Sequence, residues 1–199
     1  MSAPVKGYDG HMRWQPNAHG RLEEAAFALF GERGFDRTTV ADIAARAGLT
    51  ERTFFRYFAD KREVLFAGSD LLQKALAQAV AGAPATAAPI RAVTAALEAL
   101  ARAFAGRRAF AARRQAIIVA TPELRERELI KMASLAAVMA DALRQRGVPE
   151  PGASLLGHAA VAVFQVAFEA WIAQDGEADL WPFMRASLGT LQAVVADAP

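Results

Sequence analysis

Between Thr50 and Arg62 this chain gathers side chains whose chemistry suits a duplex nucleic acid. Arg52 carries a planar fork that can pair with both acceptors on a guanine edge, and the hydroxyls of Thr50 and Thr53 suit a base or a phosphate. Glu51, Phe55, Arg56 and Tyr57 share the segment, and Lys61 and Arg62 offer positive charge for phosphates. Thr39 adds a hydroxyl upstream. A second group is apolar: Phe104, Phe110, Met132, Leu135, Met139, Phe164, Phe168 and Trp171, accompanied by Gln115, His158 and Gln165. Such a set either lines a cavity whose polar groups orient a small apolar molecule, or fills a close-packed core.

The first group needs a pair of short helices to hold it. Thr38 or Thr39 caps the first, and Asp42 falls in its opening turn, near the positive end of the helix. Val40, Ile43, Ala44 and Ala47 recur at helical spacing and make one apolar stripe. Gly48 stops that helix in a conformation that favours positive φ, and Leu49 supplies the apolar contact of the stop. Thr50 caps a second helix that turns Phe54 and Phe58 inward and the polar residues outward. Ahead of both, Leu22, Ala25, Ala26, Leu29 and Phe30 form a further helical stripe that ends at Gly34. Phe35 is expected to join Phe30, Ile43, Phe54 and Phe58 in a small core. The pattern is that of a helix-turn-helix whose second member fits a major groove, or of an ordinary helical hairpin with a solvated polar face.

The run TTVADIAARAGLTERTFFRYFADKREVLF resembles the N-terminal signature of the TetR family of transcriptional repressors, approximately T-V-x-x-I-A-x-x-A-G-V-S-x-G-T-x-Y-x-H/Y-F-x-x-K-E-x-L. Thr39, Val40, Ile43, Ala44, Ala47, Gly48, Thr53, Tyr57, Phe58, Lys61, Glu63 and Leu65 occupy its marked positions or lie one step away. The preceding RLEEAAFALFGERGFDRTT is similar to the family's first helix and its G-F-x-x-T-T exit, so the likeness spans residues 21–66. Arg52 departs from the usual Gly, and Phe55 stands where the family has a Tyr that bonds a phosphate. Lacking the phenol oxygen, Phe55 offers apolar contact alone, for instance to a thymine methyl. The variant ERTFFRYF is similar to one found among some actinobacterial members. The resemblance implies an all-α protein of about nine helices. A three-helix DNA-binding head would precede a helical ligand-binding and dimerisation domain, whose last two helices pair with their two-fold mates. It further implies a ligand-responsive transcriptional regulator, a repressor released from a palindromic DNA operator by an apolar small molecule.

Composition narrows the alternatives. At 199 residues with net charge +2, the chain can bury a real core but carries no large fixed basic surface. DNA binding would rest on Arg46, Arg52, Arg56, Lys61 and Arg62 against Glu51 and Asp60. With Cys 0 there is no disulfide, thiolate nucleophile or zinc-thiolate site. The histidines are His11, His19 and His158, with no H-E-x-x-H spacing and no glycine-rich phosphate loop, so neither catalysis, a metal nor a cofactor is expected. His158 and Glu169 are too far apart along one helix to touch. The N-terminus lacks the apolar region of a signal peptide. The run 155–173 is interrupted by His158, Gln165 and Glu169, which favours a buried helix over a membrane span. These features are read as a cytoplasmic protein.

In chain order, residues 1–16 read as a flexible arm, either functionless or reaching a minor groove through Lys6 and Arg13. Residues 17–66 are assigned to the DNA-binding domain and 67–199 to the second domain. One long helix is expected from Lys61 to about Ala81, begun against the head and ended by Gly82-Ala-Pro84, and is the candidate mechanical link. Helices follow over about 89–104 and 109–120, on either side of the Gly106-Arg-Arg turn. Thr121-Pro122-Glu123 restarts a helix that runs to about Arg146, with Gly147 as its stop. The charge run Arg125–Glu128 is expected to be a solvated face. The last two helices cover about 153–174 and 179–196. The first of these is apolar nearly all round, so it needs partners on several sides, among them a second copy of the chain. A helical protein-interaction or small-molecule-binding module that does not bind DNA is the alternative function.

Overall fold

A computed structural model describes residues 17–196; the arm expected over 1–16, with Lys6 and Arg13, lies outside them. The described residues form nine α-helices and no strand, the all-α architecture expected. The first helix, α1 (Ala18–Arg33), begins where the Asn17 side chain accepts from the Gly20 amide. It buries Leu22, Ala25, Ala26, Leu29 and Phe30 as the stripe requires, and Phe27 as well. At α2 (Val40–Arg46), Thr39 and Asp42 form a reciprocal capping box, so Thr39 is the cap. Thr38 is instead buried, its hydroxyl donating to the Gly34 carbonyl at 2.9 Å.

α2 stops as its glycine demands. Gly48 takes φ +64°, its amide donates to the Ala45 carbonyl, and the Leu49 amide reaches back to Ala44. This is the paired bond pattern of a Schellman stop. Arg21 also donates to the Ala47 carbonyl, capping the end of α2 from α1. Thr50 then caps α3 (Glu51–Tyr57) by accepting from the Thr53 amide. Phe54 is 0% exposed, and its ring lies 5.3 Å from that of Phe58.

The expected continuous helix from Lys61 does not form. Residues 61–68 are a run of turns, Gly68 takes φ +82°, and α4 spans Ser69–Gly82. A left-handed Gly68 followed by Ser69-Asp70 is an N-terminal boundary inside the stretch that periodicity alone joined. α4 packs on α5 (Pro89–Ala103) and α7 (Pro122–Gln145), within the second half of the chain. The head meets that half elsewhere: Ile118 from α6 (Arg108–Ala120) and Leu124 from α7 are buried in the same core as Leu22, Phe30 and Phe54. Phe27 and Phe110 stack across this junction with ring centres 4.5 Å apart.

The second core is built on α8 (Gly152–Ile172), which packs between α7 and α9 (Leu180–Ala196). Trp171 anchors its end, fully enclosed, with the indole donating to the Ala178 carbonyl at 2.5 Å. Arg146 ties α7 to the end of α4, donating to the Ala83 and Pro84 carbonyls at 2.7 Å each. Arg108 ties α6 to the α8–α9 loop through the Gly176 carbonyl at 2.5 Å. Thr121 does stand before Pro122 at the start of α7, but its hydroxyl makes no capping bond. α8 is apolar and long enough to cross a membrane by length and composition, yet less than half of its most apolar window is buried.

α7 and α8 approach closely at Gly157. A Cβ added there would lie 2.6 Å from the Ala136 carbonyl oxygen and 3.1 Å from the Ala140 amide nitrogen. Both are helix backbone, so neither can move aside alone. Gly157→Ala is therefore expected to lose up to about 2 kcal/mol. That is an overpacking cost of about 1–3, reduced by a helix-propensity gain of about 1. A lowered urea midpoint at unchanged slope checks this.

Candidate nucleic-acid interface and cavity

Burying Phe54 and Phe58 fixes which face of α3 looks outward. Thr50, Glu51, Arg52, Phe55, Arg56 and Tyr57 are exposed, and Thr53 is half-buried beside them. Thr50 and Thr53 share a hydroxyl contact at 3.0 Å, which holds both near the start of the helix. Phe55 is 54% exposed, with its ring edge-on to Phe54 at 5.5 Å. The Arg56 guanidinium sits 5.0 Å from the centre of the Tyr57 ring, and His19 packs against the other aromatic neighbours, Tyr57 and Phe58.

The cations named for phosphate contact divide. Arg52 makes no ion pair or side-chain hydrogen bond with any described residue. Arg46 is held by Glu32 through paired 2.7 Å bonds, and that guanidinium keeps the Glu32 carboxyl below its usual pKa. Arg62 folds back on Asp60 at 2.6 Å, with the same effect on that carboxyl. Lys61 departs furthest from its expected phosphate role. Its ammonium donates to the Phe35 and Thr38 carbonyls at 2.9 and 3.0 Å and lies 4.3 Å from the Phe35 ring centre. The loop between α1 and α2 leaves these carbonyls without helical partners, and Lys61 satisfies them. The Thr39 hydroxyl is engaged with Asp42 at 2.7 Å. Its bonds to Thr39 hold the Asp42 carboxyl below the ordinary range.

The second group of residues comes together only in part. A cavity of about 240 Å³ lies between the 64–69 segment and α5 to α8. Phe104, Phe110, Met132, Leu135, Phe164 and Phe168 line it, with the amides of Gln115 and Gln165. Met139, His158 and Trp171 do not. Met139 and Trp171 are buried in the α7–α8–α9 core. His158 lies on an exposed face of α8, with Nδ1 2.9 Å from the Ser154 carbonyl. The helical period brings His158 and Gln165 near one line, but the packing of α7 against Gly157 turns that part of the helix away from the cavity.

Two features of the wall escaped the sequence. Val64, Leu65 and Phe66 are at once lining residues and members of the head core. Over them stands Arg114, donating to the Leu65 carbonyl at 2.6 Å and, through both arms of its fork, to Glu128 at 3.2 and 2.8 Å. Arg127 donates to Glu63 at 2.5 Å. The charge run Arg125–Glu128 is thus only half solvated: Arg125 and Glu126 face water, whereas Arg127 and Glu128 clamp the connection to the head.

The model of bacterial regulatory proteins of the tetR family matches residues 22–67, and that of the MftR C-terminal domain matches residues 87–196. The chain belongs to the TetR family. Among curated TetR-like relatives, the HTH-type transcriptional regulator TcmR of Streptomyces glaucescens is 35% identical over 80 residues, 40% of this chain and 35% of TcmR. The HTH-type transcriptional repressor KstR2 of Mycobacterium tuberculosis is 46% identical over 46 residues, 23% of each chain. The chain therefore spans only about a quarter to a third of these relatives' lengths. Among solved structures, Thermus thermophilus FadR with lauroyl-CoA is 24% identical at TM-score 0.55, covering 87% of this chain and 93% of FadR. The triclosan complex of SmeT, a Stenotrophomonas maltophilia repressor, is 20% identical at TM-score 0.64, covering 89% and 90%. At these identities the shared property is the TetR fold.

The position of Lys61 yields an expectation opposite to a phosphate contact. Lys61→Ala should lower unfolding free energy by about 1–3 kcal/mol, since carbonyls lose charge-assisted bonds. The salt dependence of any DNA binding should stay as it was. Chemical denaturation together with a salt titration of binding checks both parts.

Proposed function

We propose that this TetR-family protein is a ligand-responsive DNA-binding transcriptional repressor that acts in the cytoplasm as a homodimer and catalyses no reaction. The observation that carries the reading is the outward face of α3, where Thr50, Arg52 and Phe55 stand clear of the fold beside the half-buried Thr53, while Phe54 anchors the helix from behind. A seven-residue helix so held is dimensioned for a major groove. One such helix binds weakly, so two copies are needed.

The second copy is supplied through α8 and α9. On α8, Leu155 and Val166 are 66% and 61% exposed, and on α9 Val194 and Val195 are also exposed. Closed two-fold pairing of these faces covers them and aims two α3 helices at successive grooves about 34–36 Å apart on a palindromic operator. The cavity supports an effector of largely apolar surface. An effector that binds better to a form with misplaced heads shifts the population off DNA. The transmitting element in this reading is the 64–66 segment, which touches both the head core and the cavity, rather than a rigid helix from Lys61.

Selection from a random duplex library should recover a palindromic sequence. On that sequence, Arg52→Ala should weaken preference at one base pair per half-site by about 1–3 kcal/mol while leaving non-specific affinity nearly intact. Fluorescence anisotropy against single-base operator variants measures this. Recovery of no duplex above background would end the proposal.

A further inference from the structure

Resting on the regulator reading above, we infer that the cavity takes an apolar molecule bearing one acidic group, and that this acid competes with Glu128 for the fork of Arg114. The α6–α7 wall of the cavity has unbalanced charge. Arg114 and Glu128 cancel, their side chains only 19% and 20% exposed. Lys131, one turn further along α7, is half-buried on the same wall and makes no ion pair or side-chain hydrogen bond with any described residue. The other charged lining groups come from other elements. Arg107 is exposed with its guanidinium 4.8 Å from the Phe110 ring centre, Glu169 is exposed on α8, and Glu23 is half-buried on α1, 3.7 Å from His19. Around the whole cavity three cations and three carboxylates balance, but on the α6–α7 wall Arg114 and Lys131 meet Glu128 alone, so that wall carries one positive charge in excess.

A carboxylate or similar planar acid answers that excess and matches the paired donors of a guanidinium. Its entry does not strand Glu128. Lys131 lies three residues further along α7, within side-chain reach on the same helix face, so the displaced carboxylate has a cation waiting. The wall thus has two possible pairings. In one, Arg114 holds Glu128; in the other, Arg114 holds the ligand acid and Lys131 holds Glu128. The first leaves Lys131 without a partner and the second pairs every charge on the wall, so an acidic ligand favours the second without stranding Glu128.

The exchange is felt in the head because Arg114 does more than pair. Its Nε holds the Leu65 carbonyl and its guanidinium lies 5.1 Å from the Phe66 ring centre. Leu65 and Phe66 are buried in the head core. Turning the fork toward a ligand alters the support of those residues, whereas a neutral molecule of the same shape leaves the Arg114–Glu128 pair closed.

Titration calorimetry on the full chain with decanoate, 1-decanol and decylamine, each below its micellar concentration, tests this with one tail and three head groups. Decanoate should bind about tenfold more tightly than 1-decanol, as expected for a charge-assisted pair, and decylamine most weakly. Arg114→Met should abolish the decanoate advantage, and Glu128→Gln should strengthen decanoate binding several-fold by removing the competitor. A merely structural role would move both variants in the same direction. If Arg114→Met does not fold, Arg114→Lys, which keeps the charge without the fork, should show a reduced advantage instead. Equal binding of the three probes, no binding of decanoate, or weakening by both substitutions overturns the inference. Operator anisotropy separates the two readings. The acid preference without any duplex bound sinks the regulator and upholds the site, whereas duplex bound without an acid preference does the reverse.

Discussion

Everything that α3 can present depends on burying Phe54 and Phe58. A helix of seven residues has too few internal hydrogen bonds to persist in water, because nucleation costs more than so short a ladder returns. Here the deficit is met from outside the helix. Phe54 is wholly enclosed, Thr50 satisfies one end, and Phe58 closes the other against Phe54 and His19. The preceding turn is fixed with equal economy: Gly48 supplies the positive φ, and Arg21 reaches from α1 to cap the end of α2. The outward side chains therefore stand on a rigid mount. Electrostatics reinforce the division of labour, since Arg46, Lys61 and Arg62 are engaged within the fold while Arg52 has no such partner among the described residues.

The joint between head and body is a packed seam rather than a rod. Had the chain run as one helix from Lys61, a shift in the second half would have been levered directly onto α3. The turn run over 61–68 and the left-handed Gly68 interrupt any such lever. In its place, Ile118 and Leu124 enter the head core, Phe27 stacks on Phe110, and Arg114 and Arg127 grip the backbone at Leu65 and the side chain of Glu63. Close-packed seams of this kind respond to small displacements by switching between discrete arrangements rather than by bending. Phe110 is informative because it serves both sides, stacking on α1 and lining the cavity.

α8 shows how one apolar sequence can serve two surfaces. Gly157 admits α7 close enough that the face bearing Phe164, Phe168 and Trp171 is sealed or turned to the cavity. The opposite side keeps Leu155 and Val166 in solvent. That uneven burial, in a helix apolar along most of its length, is the physical basis for expecting a second copy against it.

Read alone, the amino-acid order determined the elements that depend on neighbours in the chain. A threonine cap at Thr38 or Thr39, the Thr50 cap, the Gly34, Gly48 and Gly147 stops, the inward Phe54 and Phe58 and the helical class are local in origin, and a one-dimensional pattern records them. Much of the cavity was legible too, since large apolar residues on successive helices converge wherever helices pack. What tertiary structure decided were the relations between distant positions. Whether Lys61 meets a phosphate or the carbonyls near Phe35 depends on a loop 23 to 26 residues away in sequence. Whether His158 and Trp171 face a ligand depends on the rotation of α8, set by Gly157 against Ala136. The pairing of Arg114 with Glu128 and the Leu65 carbonyl joins three separate segments. Periodicity assigns a residue to a face of its own helix. What meets that face is set by how the helices pack.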